Sequence, residues 1–141
     1  MERILVSRNG RTVPWEALAR SIALAKRIDA RLYVLTVLPQ GQAMDSADPE
    51  TVKRLDRRIK DATEDGVRID SFLAEGNYEQ EVINFAQQNK ITLLVTEHGG
   101  VDGRHAEREW ASLQTIRHRV SCRVEIVTAR RPEPEIEEDG T

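Results

Sequence analysis

Ile4-Leu5-Val6-Ser7-Arg8-Asn9-Gly10 begins as a short apolar run of branched residues and is cut off by an Asn-Gly pair. A run of that length without polar alternation belongs to a strand buried on both faces, and the pair that follows turns the chain out of it. From Pro14, a favourable first residue for a helix, apolar groups recur at Trp15, Leu18, Ala19, Ile22, Ala25 and Ile28. That spacing predicts a helix to about Asp29 with one apolar stripe. Leu32 to Leu38 is a second continuous apolar run, and Pro39 ends it because proline cannot donate to a ladder.

The same alternation continues along the chain. After a flexible stretch from Gln40 to Asp48, Asp48 is placed to cap and Pro49 to start a helix with Val52, Leu55, Ile59 and Ala62 inward. Asp65-Gly66 ends it, and Val67 to Leu73 reads as a strand. Asn77 is an N-cap with Gln80 at the third helical place of a capping box, leading a helix with Val82, Ile83 and Ala86 inward. Ile91 to Thr96 is a fourth strand, followed by a glycine-containing turn from Gly99 to Gly103. A helix with Trp110, Leu113, Ile116 and Val120 on one side then leads to a last strand, Val124 to Thr128.

Strands separated by single helices form βαβ units, which pack as a parallel sheet with right-handed crossovers. The fold class expected is therefore α/β, an open parallel five-stranded sheet with helices on both faces. Ligands in such sheets sit beyond the carboxyl ends of the strands, where strand order reverses. Here those ends are Ser7 to Gly10, Val37 to Gln40 and Thr96 to Gly103.

At 141 residues the chain is sized for one domain. Apolar residues make up 39% and charged residues 32%, with no run near the roughly 18 apolar residues that span a bilayer. A soluble protein without membrane insertion is expected. Near Met1 no apolar stretch is long enough for a signal peptide, and the single Cys122 cannot form an internal disulfide, so the expected setting is the cytoplasm. Five acids and no base lie between Pro132 and Thr141; taking them from the net charge of −3 leaves +2 on residues 1–131. A near-neutral body without a basic, aromatic-studded stripe argues against nucleic acid as a partner. The segment 130–141 is expected to be a disordered acidic tail and 1–129 the folded domain, since a charged, proline-broken segment buries too little to offset its ordering entropy.

The order of elements, the segment Ile4 to Gly10, the lead-in Glu75-Gly76-Asn77 to the third helix, and the turn Glu97-His98-Gly99-Gly100 after the fourth strand together resemble the universal stress protein family, over about residues 2–129. The resemblance implies that family's fold, related to the adenine-nucleotide alpha hydrolases. It also implies either a regulatory role or nucleotide binding. ATP-binding members have, after the fourth strand, a glycine, two residues, a glycine, nine residues, then Gly-Ser or Gly-Thr, whose amides and hydroxyl cradle phosphates. Laid on this chain, those places hold Glu97, Gly100, Trp110 and Ala111. Starting instead from Gly100 and Gly103 puts Leu113 and Gln114 at the last two. The family's first-strand aspartate is matched by Asn9.

Glu97 puts a carboxylate near a triphosphate, and two unit charges about 4 Å apart repel by roughly 4 kcal/mol at an effective dielectric near 20, about a thousandfold in affinity. Trp110 would fill phosphate space, and Ala111 has no hydroxyl. The resemblance thus implies a non-catalytic regulatory or stress-response module that does not bind ATP in the usual way and carries no cofactor. The alternative is a pocket for ATP, AMP or a cyclic dinucleotide rebuilt around Asn9, His98, Gly100 and Gly103. A further alternative is a regulatory domain of a membrane transporter, the chain being either a stand-alone protein or an excised piece.

Each candidate also has a plain structural role. Gly99, Gly100 and Gly103 serve a strand-to-helix turn, and Trp110 fits a packed helix face at its spacing from Leu113 and Ile116. His98, His105 and His118 lack the spacing that presents two ligands from one helix face, so no metal is expected. Cys122 reads as a small core residue, and the acids of the second helix alternate with bases as a solvated face does. No catalytic residue is identified. As the family often does, the chain is expected to form a homodimer by antiparallel pairing of the last strand through Val124 and Ile126, with a regulatory protein or transporter as partner.

Overall fold

The apolar runs of the sequence become the centre of the molecule. In the computed structural model, which describes residues 1–41, 47–98 and 104–128 (side chains from 107 in the last stretch), the elements alternate strictly. They are β1 (Arg3–Arg8), α1 (Trp15–Ile28), β2 (Arg31–Leu38), α2 (Pro49–Glu64), β3 (Arg68–Glu75), α3 (Tyr78–Gln88), β4 (Leu93–His98), α4 (Arg104–Arg119) and β5 (Arg123–Thr128). The glycine turn expected at 99–103 and the acidic tail expected from residue 130 lie outside the described residues.

All strand pairs are parallel and the order is β3-β2-β1-β4-β5. Successive side chains of a strand point to opposite faces, so each central strand feeds two cores. Ile4, Val6, Leu32, Leu93 and Val95 pack under Ala17 and Ala25 of α1. Leu5, Tyr33, Leu35 and Leu94 pack under Val82, Ile83 and Ala86 of α3 and Ile116 of α4. A smaller cluster of Val13, Leu18, Val34 and Leu55 joins α1 to α2. The Arg54 guanidinium lies over the Trp15 ring at 4.8 Å and closes that seam from outside.

Several boundaries and contacts differ from the sequence expectation. β4 starts two residues later than the apolar run because Thr92 is spent on β1, its hydroxyl accepting the Arg3 N–H at 2.9 Å. Asp48 occupies the cap position of α2 without a side-chain cap bond. Asn77 does cap α3, accepting the Gln80 N–H at 2.9 Å, but Gln80 turns its own amide to Asn84 instead of closing the box. Trp110 is 47% exposed, whereas Leu113, Ile116 and Val120 of the same helix side are buried. Of the two places that its spacing allows, core or interface, the indole does not take the core.

Candidate functional site

Strand order reverses between β1 and β4: β2 and β3 lie on one side, β5 on the other. At the carboxyl ends of those two strands is a cavity of about 290 Å³. Its wall comes from the end of β1 and the following loop (Ser7, Arg8, Asn9, Thr12, Pro14), from Tyr78 at the start of α3, from Glu97 of β4, and from Arg108, Glu109, Ser112 and Leu113 of α4. This is the place where a doubly wound sheet leaves room for a ligand.

The β1 side is held by its own polar groups. Arg8 is only 4% exposed; its Nε donates to the Thr12 carbonyl at 3.1 Å and its Nη1 to Thr36 Oγ1 at 3.2 Å, tying the loop to β2. Asn9 Oδ1 accepts the N–H groups of Arg11 at 2.9 Å and Thr12 at 3.3 Å, an Asx-type turn. That oxygen is spent on the loop, so Asn9 lines the cavity as a turn-former. Ser7 Oγ and Tyr78 Oη are 2.7 Å apart. Burial pushes the Tyr78 phenol up to about 12, against the lowering effect of Ser7 and with a further rise from the charge of Glu109.

Glu97 defines the other side. α1 has no side-chain cap at Pro14, so its first N–H groups need acceptors from elsewhere. Glu97 shares its face of β4 with Val95, which packs against α1, and its Oε1 accepts the Ala17 N–H at 2.8 Å. The carboxylate thereby caps a helix eighty positions away in the chain. Burial raises its proton affinity most, the N–H groups of Ala17 and Glu16 lower it, and the charges of Glu16 and Glu109 raise it again; the balance is upward.

The structure brings Asn9 and Glu97 to one cavity and leaves other expected residues outside it. His98 is not in the wall: its Nε2 lies 3.9 Å from Glu109 Oε1, and its ring meets Trp110 edge-on at 5.5 Å. Gly100 and Gly103 lie outside the described residues. Trp110 and Ala111 do not line the cavity, while Ser112, the next residue, supplies a hydroxyl to the wall. The Ser7–Tyr78 pair, Arg8 and Glu109 were not singled out by sequence reading. A serine at the end of a buried strand and an arginine in an apolar segment were the available signals, since polar groups in such places need partners. Among the described residues no group of three His, Cys, Asp or Glu side chains is placed to hold a metal.

The sequence profile of the Universal stress protein family matches residues 1–127. No curated protein matches the chain. Among solved structures, the chain is similar to a universal stress protein in complex with cAMP, at 20% identity over 89% of this chain and 95% of that one, with a TM-score of 0.64. It is similar to a universal stress family protein from Burkholderia pseudomallei at 22% identity, over 91% and 96% of the two chains, with a TM-score of 0.64. It is also similar to the universal stress protein from Archaeoglobus fulgidus in complex with dAMP at 15% identity, over 90% and 98%, with a TM-score of 0.59. These likenesses establish a shared fold.

Proposed function

Because the chain belongs to the universal stress protein family, we propose that it acts as a regulatory or stress-response module that catalyses no reaction and does not hold ATP in the manner of the family's nucleotide-binding members. One observation carries this reading. The Glu97 carboxylate already accepts the Ala17 N–H at the N-terminus of α1, in the wall of the switch-point cavity, with Glu109 in the same wall. An anion entering there meets a carboxylate where a helix terminus would otherwise favour it.

Thermal unfolding with ATP, ADP, AMP, cAMP and cyclic dinucleotides tests the reading. A ligand at about 100 times its Kd would add about 2.7 kcal/mol, a shift that is easily seen. No shift and no phosphate release are expected with ATP. Stabilisation by ATP, or ATP co-purifying with the protein, would overturn it.

A second reading is favoured by the solved relatives in complex with cAMP and dAMP. In it, the cavity takes a nucleoside monophosphate, with Asn9 and Ser112 in its wall in place of the family's aspartate and motif hydroxyl. Its signature is a shift with AMP or cAMP and none with ATP. We further assign the chain to the cytoplasm, on its single free Cys122. We assign it a homodimeric state through β5, and a regulatory protein or transporter as partner; no described helix is long and apolar enough to cross a membrane.

A further inference from the structure

A helix leaves its first N–H groups without partners inside itself. At the start of α1 each of them can be placed. Pro14, at the cap position, has no N–H and makes no side-chain cap bond. The Trp15 N–H donates to the Val13 carbonyl at 2.9 Å, and the Leu18 N–H makes the first helical bond, to the Pro14 carbonyl at 2.8 Å. The N–H groups of Glu16 and Ala17 remain, and both bear on Glu97. Ala17 donates to its Oε1 at 2.8 Å, and the two N–H groups together lower the proton affinity of the carboxyl.

Two adjacent N–H groups at the positive end of a 14-residue helix, converging on one carboxylate, make an oxyanion site with an anion already in place. The site opens on the switch-point cavity, since Pro14 and Glu97 both stand in its wall. The surrounding charges balance without Glu97. Glu109 of α4 and Glu16 of α1 act on it as like charges, while the guanidinium groups of Arg8 on β1 and Arg108 on α4 belong to the same cavity wall. Two acids against two bases leave the helix terminus as the net attraction for an anion. With the Glu97 carboxylate added, the set turns negative and a second anion is repelled.

We propose that the N-terminus of α1 is an oxyanion site for a carboxylate or phosphate group, and that Glu97 is its built-in occupant, an internal ligand that an external anion must displace. This site rests on the reading in which Glu97 bars ATP, and it makes the barrier one side chain, not the shape of the cavity. Glu97 is then the residue that sets the specificity of the cavity, through an autoinhibitory contact between β4 and α1.

The test uses the full chain and its Glu97→Ala and Glu97→Gln variants near neutral pH. Sodium acetate and inorganic phosphate are the probes, with sodium chloride matching the ionic strength. Acetate should raise the folded-to-unfolded ratio of Glu97→Ala roughly fivefold, about what the loss of a cap removes. It should also shift the Glu16 and Ala17 amide signals of that variant. Neither the parent nor Glu97→Gln, whose side-chain amide still fills the place, should respond beyond the chloride control. If Glu97→Ala does not fold alone, the readout is recovery of the folded amide spectrum on adding either probe. Three results would overturn the proposal: an Ala17 amide that neither probe moves in Glu97→Ala, an equal response in the parent, or an unfolded variant that neither probe restores. The two possible failures are distinct. ATP binding by the parent contradicts the non-binding reading, whereas silent probes with Glu97→Ala contradict the oxyanion site even where ATP stays unbound.

Discussion

Glu97 concentrates the chemistry of this molecule in one side chain: it caps a helix, lines a cavity and carries a charge that burial disfavours. The cap and the charge are separable by substitution. Glu97→Ala removes the cap of α1 and should cost about 1 kcal/mol. Glu97→Gln keeps an acceptor for the Ala17 N–H while removing the buried charge. Because the carboxyl holds its proton more tightly in the folded state, its contribution to stability is fully present below the unfolded value, near 4.3, and is lost as pH rises through the folded one. Urea unfolding across about pH 4 to 7 should therefore show Glu97→Gln gaining on the parent as pH rises. A parallel pair of profiles would contradict the assignment. The place of Glu97 at the end of the fourth strand was legible from the sequence. Its partner was not, because the pairing with Ala17 depends on how β4 lies against α1.

At the scale of elements, the end of β1 and its loop supply Ser7, Arg8, Asn9, Thr12 and Pro14 to the cavity wall. Gly10 has a φ of 81°, and a Cβ there would sit 2.6 Å from Leu38 Cδ2 at the end of β2. Gly10→Ala should thus destabilise the fold by more than about 1 kcal/mol, combining left-handed strain with a displaced Leu38. A urea midpoint unchanged from the parent would show that the loop relaxes freely. Helix α4 illustrates the limit of periodicity. Trp110, Leu113 and Ile116 share a spacing, yet only the latter two are buried, while the indole is half-exposed with its ring edge-on to His98. A spacing pattern gives the direction of a face but not how far along the helix the neighbouring layer extends.

For the whole molecule, dimerisation through β5 predicts a sedimentation mass near twice the 16.0 kDa of one chain. Val124 and Ile126 are half-buried on that strand, and replacing both by lysine should yield monomers with an unchanged far-ultraviolet spectrum. A parent chain that sediments as a monomer at tens of micromolar would reject the β5 assignment. The five strands, four helices, their order of appearance and the parallel sheet followed from the sequence alone. Apolar runs buried on both faces and single-stripe helices are local signals, and their alternation admits few topologies. The switch point was likewise legible as a set of strand ends. Only the tertiary structure decided which side chains meet there: Ser7 with Tyr78, Arg8 with Thr36, and Glu97 with the N-terminus of α1. Those partners come from different elements, and their meeting depends on strand order, register and helix placement, which no local pattern encodes.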